Sequence, residues 1–143
     1  MRIMALLIAG LVAGFLTLQS APAEAGVVAQ IDISQQNMRV YVNGRHKYTW
    51  KVSTGRRGYG TPTGSYSIKR MHRTYYSKKY HGAAMPHSLF FRGGYAVHGT
   101  SYVRQLGRPA SHGCVRLHPS NARTLFNLVR AHGAGSSRVV LKR

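Results

Sequence analysis

The chain has 143 residues, 21 lysines and arginines against 2 acidic residues, and a formal net charge of +19. That length favours one domain. With Glu24 and Asp32 as the only acids, the composition excludes the paired carboxylates of the usual glycoside hydrolase and a carboxylate-built calcium or magnesium site.

The amino end reads as a leader. Met1-Arg2 gives a short positive start, and Ile3 to Leu18 is an apolar run broken only by small residues and Thr17. Ala23-Glu24-Ala25 then supplies small residues at the positions a signal peptidase reads. Residues 1–25 are therefore expected to be a secretory signal peptide, and residues 26–143 one domain. No cysteine stands near the cleavage point to carry a lipid anchor. After cleavage Asp32 is the single acidic side chain, so a catalytic histidine would be oriented by a backbone carbonyl or an amide. For an exported chain this basic, the expected surroundings are anionic envelope polymers, such as lipid headgroups, lipopolysaccharide and carboxylate-rich peptidoglycan stems, and not nucleic acid.

Ile31-Asp32-Ile33 and Met38 to Val42 alternate and predict strands. Asn43-Gly44 between the second of these and Tyr48 to Val52 is a hairpin signal, because both residues tolerate positive φ. Tyr48, Trp50 and Val52 are expected on one face. Residues 53–68, "STGRRGYGTPTGSYSI", hold four glycines and Pro62 and predict a turn-rich connection before a strand at Tyr66 and Ile68. Residues 71–88 lack periodicity and are expected to form a long excursion that acts as a lid. Leu89 to Phe91 and Tyr95 to Val97 predict buried strands, the second ending at His98-Gly99-Thr100. Pro119 suits a first helical position, Ala122, Leu125, Phe126 and Val129 recur at helical spacing, and Gly133 is a stop. Arg138 to Leu141 closes as a strand. The expected class is mostly β with one clear helix.

"ASHGCVRL", residues 110–117, holds the only cysteine. Three readings of Cys114 follow from the residues. A lone thiol can be a small buried hydrophobe, although an oxidising compartment makes that uncomfortable. It can join His98, His112 and His118 as a zinc ligand, against a spacing tighter than usual. Or it can be a nucleophile, with His98 as base and the glycine turn exposing backbone N–H groups toward an oxyanion.

The segment "HGTSYVRQLGRPASHGCVRL" resembles the signature of L,D-transpeptidase catalytic domains, the YkuD family. Ser111-His112-Gly113-Cys114-Val115-Arg116 matches its conserved core at every position. "ISQQNMRVYVNGR" and "VSTGRRGYGTPTGSYSI" resemble its opening hairpin and its STG…TPTG segment, so the likeness spans nearly all of residues 27–142. The resemblance implies a β-sandwich-like single-domain fold with the cysteine at one end, and no cofactor or metal. It implies Cys114 as nucleophile, His98 as proton acceptor and donor, and the Gly99 carbonyl as the group that orients His98. Backbone donors to the oxyanion would come from His112, Gly113 and Cys114, with Ser111 and Arg116 orienting the segment or binding substrate. The implied reaction is two-step acyl transfer. The thiolate attacks the L,D bond of a peptidoglycan tetrapeptide stem and D-Ala leaves. The thioester then passes to a peptidoglycan amine, to an amine of an envelope protein, or to water.

Overall fold

The computed structural model describes residues 25–143; the leader expected over residues 1–25 lies, but for its last residue, outside them. The chain is mostly β, as two sheets and one main helix.

The first three strands form a meander: β1 (Val27–Asp32), β2 (Asn37–Val42) and β3 (Arg45–Lys51). Each is antiparallel to the next. Asn43 at φ 49° and Gly44 at φ 80° make the turn between β2 and β3, the double positive-φ geometry whose twist matches the flanking strands. Alternation decides the faces. Val27, Ala29 and Ile31 of β1 and Met38 and Val40 of β2 are buried. Tyr48 and Trp50 of β3 stack at 4.9 Å and pack against the same core. Val52 is also buried, one residue past the strand.

Two distant segments complete this sheet. β4 (Gly64–Ser67) and the carboxy-terminal strand β9 (Arg138–Lys142) add to β1, giving the order β3-β2-β1-β9-β4. β9 runs parallel to β1.

The second sheet holds β5 (Arg70–His72), β6 (Ser88–Arg92), β7 (Tyr95–Gly99) and β8 (Val115–Leu117), in that order. β7 and β8 are parallel, with Val97 opposite Val115, His98 opposite Arg116 and Gly99 opposite Leu117. Leu89, Phe91, Val97, Val115 and Leu117 turn toward the first sheet and share its core. The helix α1 (Pro119–His132) follows β8 directly and adds Ala122, Leu125, Phe126 and Val129 to that core. His118 caps it by accepting from the Ser120 N–H at 3.2 Å, and Gly133 ends it at φ 93°.

The excursion expected over residues 71–88 is more ordered than its sequence suggests. Met71 and His72 belong to β5, and the rest is stitched to itself as an irregular hairpin. The His87 N–H donates to the Arg73 carbonyl, Met85 to Tyr75, and Ser77 to Ala83. His81 and Gly82, at φ 53° and 73°, turn its tip. Its anchor is a second apolar cluster in which Phe90, on the outer face of β6, packs with Met85, Ala96 and Tyr75. The signal was present in the run Leu89-Phe90-Phe91: a strand with both faces apolar needs cover on both.

Candidate active site

The turn 110–114 is tied from three sides. The N–H groups of Ala110 and Ser111 both donate to the Thr54 carbonyl, and the Arg56 N–H donates to the Ser111 carbonyl, each at 2.9 Å. The Thr61 hydroxyl donates to the Gly113 carbonyl at 2.8 Å while accepting from the Gly55 N–H. The "STG" and "TPTG" segments thus form a cradle for the cysteine turn. Ser111, 1 % exposed, staples the turn from within. Its hydroxyl donates to the Cys114 carbonyl at 2.6 Å and accepts from the Gly113 N–H at 3.0 Å.

Gly113 donates its N–H to the Ser111 hydroxyl. Its φ is 122°, and a Cβ there would stand 2.7 Å from Cε1 of Tyr95. Backbone conformation and the Tyr95 ring both demand glycine.

His98 lies on β7 and is 6 % exposed. Its Nδ1 is 2.7 Å from the Gly99 carbonyl oxygen. A carbonyl only accepts, so Nδ1 carries the proton and the lone pair sits on Nε2. Burial lowers its pKa from 6.5 to about 4; the Gly99 hydrogen bond opposes this and the Arg116 charge adds to it. The half-buried Cys114 thiol is pushed up by burial, against the opposing Ala96 backbone hydrogen bond and Arg116 charge. It makes a long contact, 3.7 Å, to the Gly94 carbonyl. Burial thus disfavours the charged form of both groups.

Both groups face one cleft of about 320 Å³, lined also by Tyr80, Met85, Pro86, Thr100, Tyr102 and Arg116. His112 rims it, stacked on Tyr80 of the hairpin at 4.2 Å and met edge-on by Tyr59 at 4.9 Å. Burial lowers its pKa, aided by the charges of Arg56, Arg116 and Lys79. Arg116, half-buried on β8, donates through Nη1 to Gln105 Oε1 at 3.0 Å and lies over the Tyr102 ring. His118 stands apart from the cleft lining as the cap of α1. Among the described residues no three His, Cys, Asp or Glu side chains converge as a metal site. Residue-by-residue reading missed Tyr59, Tyr80, Gly94 and Tyr95; only the fold brings them to the turn.

The family model described as the L,D-transpeptidase catalytic domain, YkuD, matches residues 26–140. The chain belongs to this family. Solved L,D-transpeptidases share its fold. One from Stackebrandtia nassauensis is 28% identical with a TM-score of 0.73, over 92% of this chain and 61% of that one. One from Mycobacterium smegmatis is 20% identical with a TM-score of 0.74, over 83% and 59%. L,D-transpeptidase 3 from Mycobacterium tuberculosis, solved with a faropenem-derived adduct, is 22% identical with a TM-score of 0.71, over 82% and 60%. The chain thus spans about three fifths of the length of these L,D-transpeptidases. No curated protein matches it.

Proposed function

We propose that this protein is a peptidoglycan L,D-transpeptidase acting through Cys114. The observation that carries the reading is the arrangement of His98: its Nδ1 proton is committed to the Gly99 carbonyl, and it shares a cleft with the thiol. A base with one free nitrogen and a thiol are the two parts acyl transfer needs.

In the first step Sγ attacks the carbonyl of the third residue of a tetrapeptide stem, and His98 Nε2 takes the thiol proton. The N–H groups of His112 and Cys114 receive the developing oxyanion. The proton passes from Nε2 to the amine of D-Ala as the C–N bond breaks, leaving a thioester. In the second step an amine attacks the thioester, His98 removes its proton, and the C–S bond breaks, with the proton passing from His98 to the Cys114 sulfur. The product is a cross-link between the third residues of two stems, or a protein tethered to the wall. Water in place of the amine makes the reaction a carboxypeptidation. Burial disfavours the charged form of both groups, so proton transfer accompanies attack.

The envelope location rests on the sequence of residues 1–25, and on a family match that begins at the residue after the expected cleavage point. The basic surface would hold the protein near anionic envelope polymers. Intact-protein mass spectrometry after incubation with tetrapeptide muropeptides or faropenem tests the reading. The expected result is an adduct on the wild type and none on Cys114→Ala. An adduct that survives Cys114→Ala refutes it.

A further inference from the structure

Gln36, in the bend between β1 and β2, combines two features that a bend at the surface does not need. It is 4 % exposed. Its backbone sits at φ 52°, a conformation that glycine or asparagine adopts more easily. Both amide hydrogens and the amide oxygen are engaged. Nε2 donates to the Ile33 carbonyl and to the Thr54 hydroxyl, each at 2.7 Å, and Oε1 accepts from the Thr54 N–H at 2.9 Å. An N–H only donates, so Oε1 must face it and the amide has one orientation. The Gln36 carbonyl also accepts from the Val52 N–H at 3.0 Å.

Thr54, fully buried, is thus gripped by one amide at both its N–H and its hydroxyl. Its remaining polar group is the carbonyl, and there the cysteine turn begins. That carbonyl accepts from the Ala110 and Ser111 N–H groups, each at 2.9 Å. Ser111 in turn holds the Cys114 carbonyl and the Gly113 N–H through its hydroxyl. Three consecutive links therefore run from Gln36 to the backbone of the nucleophile: amide to Thr54, Thr54 carbonyl to Ser111, Ser111 hydroxyl to Cys114. Gln36 itself does not line the cleft. What its amide adds to the bend is direction, because it fixes where the Thr54 carbonyl points.

We infer that Gln36 is a positioning residue for acyl transfer. It aims the Thr54 carbonyl, and through it sets where the Cys114 turn presents its backbone N–H groups to the oxyanion. This rests on the transpeptidase reading and adds to it a residue remote from the cleft. Without the amide, the Thr54 carbonyl is free to tilt and the turn shifts with it. Stabilisation of an oxyanion is steep in geometry, and a misplacement of about 1 Å costs on the order of 100-fold in rate. A reaction of the thiol that builds no oxyanion is far less sensitive.

The test sets two reagents against Cys114, each followed by intact-protein mass spectrometry. Faropenem acylates through a tetrahedral oxyanion: the Sγ–C bond forms, the lactam C–N bond breaks, and the thiol proton moves to that nitrogen. Iodoacetamide alkylates by direct displacement: the Sγ–C bond forms, iodide leaves, and the thiol proton goes to the buffer. The variant is Gln36→Gly, which removes the amide and suits the positive φ, with its fold checked by near-UV circular dichroism. Acylation is expected to slow roughly 10- to 100-fold, while alkylation stays within about 3-fold of wild type. Thr54→Val deletes only the hydroxyl that accepts from Nε2. It should part the two rates in the same sense by a smaller factor, and it carries the test if Gln36→Gly does not fold. Acylation of the folded variant at the wild-type rate overturns the inference. An equal fall in both rates also overturns it, because Gln36 would then serve only the fold. A wild type that iodoacetamide labels and faropenem does not acylate counts instead against the transpeptidase reading.

Discussion

Burial of His98 couples the stability of this protein to pH, and the size of the effect follows from the structure. The unfolded imidazole titrates near 6.5, whereas the folded one titrates at about 4, chiefly because burial penalises its charged form. Between these values the unfolded state binds a proton that the native state refuses, so stability falls as pH falls through that window and is fully present above 6.5. For one group shifted this far, linkage gives a loss of about 2 kcal/mol from about pH 7 to about pH 5, and about 3 kcal/mol by about pH 4. The perturbation is His98→Asn, which removes the titrating group and leaves a polar side chain that can still donate. Urea denaturation of wild type and variant across this range isolates the term, because every other histidine contributes equally to both. The difference between their unfolding free energies should change by about 3 kcal/mol over the range. Parallel stability curves would refute the reasoning, since they would mean that His98 accepts a proton in the native state as readily as in the unfolded one.

The same depression sets the acid limb of catalysis. Acylation of Cys114 by faropenem should hold its rate down to about pH 5 and fall near the His98 value of about 4; an acid limb centred at 6.5 contradicts a buried, carbonyl-bound base. Ser111→Ala removes both the donor to the Cys114 carbonyl and the acceptor for the Gly113 N–H. It should cost about 1–3 kcal/mol in thermal or urea unfolding and slow acylation, and wild-type stability with wild-type acylation would contradict the staple. Gly113→Ala meets both the backbone at φ 122° and the Tyr95 ring. Acylation should be lost with about 1–3 kcal/mol of stability, and a normally acylated variant would refute the constraint. Phe91→Ala, in the core between the sheets, should cost about 3–5 kcal/mol, read from urea midpoints.

Local chemistry made much of this protein legible in one dimension. Asn43-Gly44 closes the first hairpin because both residues accept positive φ. Pro119 and Gly133 bracket the helix because one lacks an N–H the first turn does not need and the other ends it in a conformation bulky residues avoid. The apolar spacing of Ala122, Leu125, Phe126 and Val129 sets its buried face. Cys114 and His98 stood out by chemistry, as a lone thiol and a histidine at the end of an apolar strand in a chain almost without acids.

What depended on long-range pairing was not written locally. No rule of spacing places β9 beside β1, more than a hundred residues away, or makes β7 and β8 parallel so that His98 stands opposite Arg116. Val115–Leu117 is too short for its alternation to announce a strand. Residues 73–87 look aperiodic because their order comes from Phe90 beneath them and from hydrogen bonds across the hairpin, not from a repeating face. Gly113 was marked as glycine by the sequence, but its neighbours gave the reason: the Tyr95 ring fills the space a side chain would take, and Ser111 holds its N–H. Sequence determined which groups could do chemistry, because that is a property of side chains. Tertiary structure decided which of them meet and how deeply each is buried, because burial and register exist only once distant strands have paired.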